Sequence, residues 1–346
     1  MTAQPRGRQP GRAREDLCLI TGATGFIGGH LARRLADEGY QVRCLVRASS
    51  DTSLLGGLAV ELAVGDITAP DSLARACAGC RYVVHCAALV SDWGTGKEIT
   101  RTNVAGTRNL LEASVSASVE RVVHVSTTDV YGYPGGAAVE EDHPPAGFRN
   151  WYAHTKLGAE AEVSRMARQH GLDTVILRPA TVYGPRSTDV VGEIARAIRG
   201  GNMVLIDHGR AIAGLCYVEN LADAALLALS QDVAPGKAFN ITDGLPVTWK
   251  QFTDDLASGL GCRPVRRSMP YPLAHVLGFS IEHGYRVLRR ATGLTTRPLL
   301  SRQALQVLGK DQDFSNHKAR EVLGWAPRVG YRTGLDATID WLRSSP

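Results

Sequence analysis

Six short apolar runs alternate with amphipathic segments through the first half of the chain, and this alternation restricts the fold more than any other feature. The runs are LCLIT (17–21), QVRCLV (41–46), VELAV (60–64), YVVHCAA (82–88), RVVHVS (121–126) and TVILRP (174–179), and they read as strands. The segments between them, such as Gly28 to Glu38, Asp71 to Ala78, Thr102 to Ser114 and Tyr152 to Gln169, have helical spacing. Strand and helix in strict alternation imply right-handed crossovers and a parallel sheet covered on both faces. The expected class is therefore α/β, with a doubly wound parallel Rossmann sheet and ligands at the carboxyl ends of its strands.

After residue 184 the pattern loosens. Helical stretches (Val191 to Arg199, Leu221 to Leu229, Trp249 to Leu260) are separated by Gly and Pro, and MVLI and KAFNIT are candidate further strands. The expected organisation is a tail over 1–16, a nucleotide-binding domain over 17–184 to which 203–244 returns, and a smaller, discontinuous C-terminal substrate lobe from 185–202 and 245–346. The amphipathic stretch LAHVLGFSIEHGYRVLRR reads as a core or lid helix, with contact to a membrane surface as the alternative.

A chain of 346 residues can bury a large core. Part of its net charge of +5 sits in the first sixteen residues, where Arg6, Arg8, Arg12 and Arg14 stand among Pro, Gly and Gln, as in a disordered tail. Elsewhere basic and acidic residues are interspersed without aromatic alternation, so no nucleic-acid partner is expected. No run has the length and apolarity of a membrane span or a secretory leader, and a cytoplasmic location follows by default. Of the seven cysteines, Cys18, Cys44, Cys86 and Cys216 fall in apolar runs. Cys77 and Cys80 form a lone CxxC without a second pair or a His cluster, so no metal site is expected.

Directly after the first strand comes TGATGFIGGH, with glycines at 22, 25 and 28 opening a helix. Gly22 permits a tight turn, Gly25 lets backbone N–H groups approach a pyrophosphate, and Gly28 lets helix and strand pack closely. That context makes the string a dinucleotide site rather than a merely structural turn. Cofactor choice is read at the end of the second strand, where an acid would bind the ribose hydroxyls of NAD. Arg47 stands there, followed by Ser49 and Ser50. A guanidinium complements a 2′-phosphate, which favours NADP (NADPH) over NAD. The alternative is that Arg47 is an ordinary solvated loop residue and Asp51 meets the ribose.

Tyr152 and Lys156 stand four residues apart and share a helix face. A phenol is a poor base at neutral pH, but a nearby ammonium, together with the charge of a nicotinamide ring, would stabilise the phenolate and pull its pKa down towards 7. The YxxxK string recurs by chance; its place after a fifth strand ending HVSTTDVYG gives it weight.

These strings together resemble the extended short-chain dehydrogenase/reductase family. The resemblance runs from residue 17 almost to the end: TGATGFIGGH is similar to the glycine motif, Gly65-Asp66-Ile67 to the adenine-contacting acid, His85-Cys86-Ala87-Ala88 to the HxAA strand end, Asn103-Val104-Ala105-Gly106-Thr107 to the NVxGT helix and LRPATVYGP to the LRPxxVYGP segment. CYVENLADA, FNITDG and LGWAP resemble later landmarks. The resemblance implies cofactor contacts from Gly22, Thr24, Gly25, Phe26, Ile27, Gly28, Arg47, Asp66, Ile67, Ala87, Ala88, Asn103, Tyr152, Lys156, Pro179, Ala180 and Thr181. It makes Tyr152 the acid/base, Lys156 the residue that binds the nicotinamide ribose and tunes Tyr152, and Thr127 the hydroxyl that binds the substrate oxygen, with Ser126 and Thr128 as flanking substitutes. It also suggests a homodimer.

The family's sugar-nucleotide dehydratases carry an Asp-Glu pair after the catalytic Thr, whereas Thr128 and Asp129 stand here, which speaks against dehydration. VRCLVRASS, HCAALVSDWG and the C-terminal course resemble the branch of 3β-hydroxysteroid dehydrogenases, oxoacid reductases and dihydroflavonol reductases. The expectation is an NADP-dependent ketoreductase or alcohol dehydrogenase acting on a bulky, rather apolar small molecule, with Leu89, Val90, Trp93 and Thr128 near the substrate and His154 exposed. The alternatives are a sugar-nucleotide epimerase or reductase with retained NAD, using Arg186, Arg196, Arg199 and Arg210 on a diphosphate, and a non-catalytic NADP-sensing regulator.

Overall fold

The computed structural model describes residues 16–90, 96–136, 138–145, 150–292 and 302–344. Seven parallel strands form the central sheet: β1 (Leu17–Thr21), β2 (Gln41–Val46), β3 (Val60–Val64), β4 (Tyr82–His85), β5 (Arg121–Val125), β6 (Asp173–Pro179) and β10 (Lys237–Ile241). Their spatial order, β3-β2-β1-β4-β5-β6-β10, reverses direction at β1, where the glycine turn stands. Alternate residues of each strand serve opposite faces. Cys18, Ile20, Val84, Val123 and Leu177 pack with helices α1 (Phe26–Asp37) and α7 (Val218–Ser230). Leu19, Val83, Val122 and Ile176 pack with α2 (Pro70–Cys77), α4 (Gly106–Ser116) and α5 (Trp151–His170). Both faces are apolar, so the strands read as near-continuous hydrophobic runs rather than alternating ones.

Two elements differ from expectation. β4 stops at His85, and the following Cys86 N–H still donates to the Thr21 carbonyl at 3.1 Å. The chain then turns along the sheet edge, so 86–88 belong to the loop at the site. The helix expected from Thr102 begins earlier, as α3 (Gly96–Thr100), and passes through a π-helical turn over Arg101–Ala105 before α4. Such turns carry one extra residue per hydrogen-bonded ring and re-aim side chains.

Past β6, a two-stranded ribbon pairs β7 (Thr181–Tyr183) with β9 (Leu215–Tyr217). The MVLI run yields only β8 (Leu205–Ile206), which pairs with β11 (Ser268–Met269) rather than joining the central sheet, whereas KAFNIT supplies β10 at that sheet's edge. A second apolar core gathers Tyr183, Ile194, Tyr217, Trp249, Phe252, Leu256 and Ile339 between α6 (Glu193–Arg199), α8 (Trp249–Gly259) and α12 (Tyr331–Ser344). The three late sequence landmarks meet at Asn220. Its amide donates to Asp243 and to the Val329 carbonyl, its side-chain oxygen accepts from the N–H groups of Arg328 and Val329, and the Trp325 indole donates to its carbonyl. That buried hub joins the C-terminal segment to the sheet.

The amphipathic stretch forms α9 (Tyr271–Thr292). Leu273, Val276 and Phe279 on it are 51, 62 and 54% exposed, so these side chains are not core residues, although Ala274 is fully buried. Among the described residues no helix is long and apolar enough to cross a membrane. The expected tail lies outside the described residues except for Asp16, which forms an ion pair with Arg81.

Candidate active site

The glycine turn supplies one end of the site. Gly22 has φ +75°, and a Cβ there would stand 2.8 Å from the Ala87 nitrogen, so turn and β4 end are in backbone contact. A Cβ on Gly28 would meet the Gly22 carbonyl oxygen at 2.1 Å. Gly25 is the N-cap of α1, with no side-chain cap and no acidic residue in the first turn. The first-turn N–H groups of Phe26, Ile27 and Gly28 therefore face outward at the positive end of a helix dipole, which suits a pyrophosphate. Thr24 is half-buried within the same turn. These features fit a dinucleotide.

Directly after β2, Arg47 is exposed and its backbone N–H donates to Ser50 Oγ at 3.2 Å. Asp66 accepts from the Thr68 N–H and hydroxyl, both at 2.7 Å. Burial alone would raise the Asp66 pKa, but those bonds and the charges of Arg47 and Arg101 hold it below the usual range. Arg101 is a neighbour that the motifs did not single out. The Ile67 side chain is buried against Gly106, and its carbonyl accepts from Asn109. Asp51 accepts instead from the Ser53 N–H at 2.9 Å.

The strand register places Thr21, His85 and His124 side by side on the face that α5 covers. Thr107 Oγ1 donates to the Asn103 carbonyl and so accepts from His85 Nε2–H, which leaves His85 Nδ1 to accept from Thr21 Oγ1 at 2.7 Å, and Thr21 Oγ1 in turn accepts from the Ala87 N–H. The chain of donors is satisfied by one neutral tautomer of His85, consistent with burial and Lys156 driving its pKa down to about 3. Ala87 and Ala88 thus sit on a braced turn. Asn103, expected at the cofactor, is 1% exposed and fully engaged elsewhere: Oδ1 accepts from the Leu89 N–H, and Nδ2 donates to the Leu89 carbonyl and to Thr155. It clamps the turn onto α5.

α5 starts at its N-cap Asn150, whose Oδ1 accepts from the Tyr152 N–H at 2.8 Å, and ends at Gly171 in the left-handed region. Lys156 is 3% exposed; Nζ donates to the Val125 carbonyl at 2.7 Å and lies 3.5 Å from His124 Nε2. Burial lowers its pKa to about 8, against the opposing effect of Glu160 and Cys86. Burial, with the Asp129 carboxylate adding to it, raises the Tyr152 phenol above its ordinary value.

Thr127, at the end of β5, is 9% exposed and its hydroxyl accepts from the Asp129 N–H at 3.2 Å. Ser126 is not interchangeable with it, since its hydroxyl is spent on Glu160 at 2.5 Å. Thr128 is buried. Pro179 and Ala180 are buried where the chain leaves the sheet, and Thr181 is half-buried; the Ala180 and Thr181 N–H groups donate to the carbonyls of Ile241 and Gly214. Leu89 is half-buried and Val90 is 56% exposed. Trp93 lies outside the described residues. Trp151, beside Tyr152, is 50% exposed with its ring against Gly96, an apolar wall that sequence motifs did not reveal. His154 is exposed, as expected.

Three of the arginines expected for a diphosphate have protein partners of their own. Arg186 reaches the Leu54 carbonyl, Arg196 pairs with Glu193, and Arg199 donates to the Leu342 carbonyl. Arg199 also lines a cavity of about 790 Å³ with Arg263, Arg266 and Arg267, to which none of the residues of expected chemistry contributes. Cys77 and Cys80 are buried thiols whose pKa values burial raises.

Residues 18–242 match the model of the NAD dependent epimerase/dehydratase family. The chain belongs to that family. Within it, the chain is 33% identical over 322 residues to the 4-hydroxy-2-methyl-3-oxo-4-farnesyl-3,4-dihydroquinoline-1-oxide ketoreductase of Stigmatella aurantiaca, covering 92% of this chain and 94% of that one. It is 31% identical to a 2-alkyl-3-oxoalkanoate reductase of Stenotrophomonas maltophilia, covering 92 and 96%. The crystal structure of a dTDP-glucose 4,6-dehydratase from Streptomyces venezuelae with NAD bound superposes with a TM-score of 0.77 at 25% identity, covering 95% of this chain and 97% of that one. The protein is thus an oxidoreductase of the extended short-chain dehydrogenase/reductase type with an NAD(P)-binding fold.

Proposed function

We propose that this oxidoreductase is an NADP-dependent ketoreductase, passing hydride between nicotinamide and a ketone or secondary alcohol of a bulky, rather apolar substrate. The observation that carries the proposal is a placement: Tyr152 and Lys156 lie one turn apart on α5, and the Lys156 bond to the Val125 carbonyl sets that helix face beside Thr127. Burial and Asp129 raise the pKa of Tyr152, so at neutral pH the phenol holds its proton and is set to give it to a carbonyl oxygen.

The nicotinamide, when bound, supplies or accepts hydride. Thr127 donates its hydroxyl proton to the substrate oxygen and orients the carbonyl. Tyr152 transfers its proton to that oxygen as the alcohol forms and regains one from solvent. The Lys156 ammonium, buried one turn along α5, offsets the negative charge that this transfer leaves on the phenol. Arg47, exposed directly after β2, takes the 2′-phosphate. Leu89, Val90 and Trp151 supply apolar surface for the substrate, in keeping with the reductase names of the relatives.

Native mass spectrometry of the purified protein, followed by titration with NADPH and NADH, tests this. Empty protein that binds NADPH more tightly than NADH and oxidises it with ethyl 2-methylacetoacetate supports the proposal. Stoichiometric NAD that survives purification overturns it in favour of an epimerase.

A further inference from the structure

One buried ion pair touches every segment that carries the proposed chemistry. The Glu160 carboxylate is 4% exposed and lies one turn beyond Lys156 and two beyond Tyr152 on the same face of α5. Its Oε1 accepts from Ser126 Oγ at 2.5 Å and from Arg178 Nε at 3.0 Å; its Oε2 accepts from Arg178 Nη2 at 2.7 Å. Ser126 immediately precedes Thr127, and Arg178 immediately precedes Pro179. Arg178 also donates to the Tyr131 hydroxyl at 2.7 Å and to the Glu141 carbonyl, while its guanidinium stands 5.0 Å over the Tyr131 ring. Tyr131 ends the 3₁₀ turn that Thr127 caps, and its hydroxyl donates to Asn240.

We infer that Glu160 is a positioning residue: through Ser126 and Arg178 it fixes the distance between the Thr127 hydroxyl, just past β5, and the Tyr152–Lys156 face of α5. The inference rests on the ketoreductase reading of Tyr152 and Lys156. A fork-to-fork carboxylate–guanidinium pair is directional, so it sets the rotation of α5 as well as its distance from the strand. A hydrophobic contact of equal area would leave the helix free to slide. Removing one partner of a buried pair strands the other, which makes the geometry costly to abandon.

Glu160 also acts through charge. Lys156 is faced by Glu160 on its own helix, by His85 and Cys86 at and after the end of β4, and by His124 on β5; Tyr152 is faced by Asp129. His85 and His124 are held neutral by burial, and Cys86 by the same cause. Glu160 is thus the acid that sustains the Lys156 ammonium.

Glu160→Gln keeps the shape but places an amide donor against the Arg178 fork. In the full chain with NADPH and ethyl 2-methylacetoacetate, this variant is expected to lose roughly tenfold or more in kcat with the NADPH Kd and the ketone KM nearly unchanged. Its alkaline fall in rate should begin at lower pH than in the parent. A merely structural role would lower the melting temperature without moving that limb. Ser126→Ala, which deletes one hydroxyl-to-carboxylate hydrogen bond and keeps the ion pair, should lower kcat by about threefold with the limb in place. Parental kcat and an unmoved limb in Glu160→Gln, or parental kcat in Ser126→Ala should Glu160→Gln not fold, overturn the inference. If Tyr152→Phe is also fully active, the underlying reading of the site has failed instead.

Discussion

The Lys156 ammonium donates to the Val125 carbonyl at 2.7 Å and thereby ties the middle of α5 to the end of β5. The amine is almost wholly buried, and desolvation brings its pKa down to about 8. Its charge is present below that pH and is lost above it. Ketone reduction is therefore expected to hold a plateau through neutral pH and to fall as pH rises past about 8. A pH profile of kcat/KM checks this, and Lys156→Met should lower the plateau and abolish the limb. A profile that stays flat well above pH 8 in the parent would separate Lys156 from the chemistry.

Tyr152→Phe removes the proton donor and little else, since the Tyr152 backbone N–H stays capped by Asn150. Turnover should drop by roughly 10²- to 10⁴-fold, the usual share of general acid catalysis. The NADPH dissociation constant should hardly change, and isothermal titration beside steady-state kinetics separates the two effects.

Arg47→Asp tests cofactor choice. The substitution replaces a guanidinium suited to a phosphate with a carboxylate suited to ribose hydroxyls, and it also sets a second acid near Asp66. The ratio of NADPH to NADH affinity should shift towards NADH by about 10- to 100-fold, the worth of a charge-assisted hydrogen bond. A change confined to Arg101→Ala would move 2′-phosphate recognition to the π-helical turn.

The parallel strands, both covering layers and the glycine turn follow from patterns that local sequence carries, because a strand's apolar run and a turn's glycines are set by their own backbone. The ends of elements are less legible. β4 stops at His85 because the Cys86 N–H and the Thr21 hydroxyl draw the chain across β1, contacts made with residues over sixty positions away. Glu160 looks in sequence like one more acid on a helix; only the docking of α5 against β5 and β6 reveals Ser126 and Arg178 around it. The same docking turns Lys156 towards Val125, which i, i+4 spacing alone does not specify. Asn103 sits in a recognisable string, yet its work as a clamp depends on a loop and a helix distant in sequence.

That clamp yields a stability prediction. Asn103→Ala leaves the Leu89 N–H and carbonyl without their partner and removes the donor to the Thr155 hydroxyl, which keeps its own bond to the Tyr152 carbonyl. Buried polar groups stripped of a partner cost about 1–3 kcal/mol each when water cannot replace it. The variant should unfold at lower denaturant concentration by roughly that amount, and NADPH binding should weaken because the Ala87–Leu89 turn loosens. Parental stability in urea denaturation would show that the clamp is incidental.

Gly28 offers the sharpest test of the phosphate turn. In an ordinary helix, replacing glycine with alanine gains about 1 kcal/mol of helix propensity. Here the added Cβ would lie 2.1 Å from the Gly22 oxygen and 2.6 Å from its carbonyl carbon, both backbone atoms that cannot rotate aside. Either α1 tips away from the turn or Gly22 leaves its contact with Ala87, and both movements pull the first-turn N–H groups off the pyrophosphate. Gly28→Ala is therefore expected to weaken NADPH binding by roughly tenfold or more and to lower the melting temperature. Gly158→Ala is the matched control, since its Cβ would meet only the Val104 side chain, at 3.0 Å, and no cofactor-facing backbone. NADPH affinity that falls equally in both variants would assign the loss to general destabilisation. A loss confined to Gly28→Ala would place it in the turn.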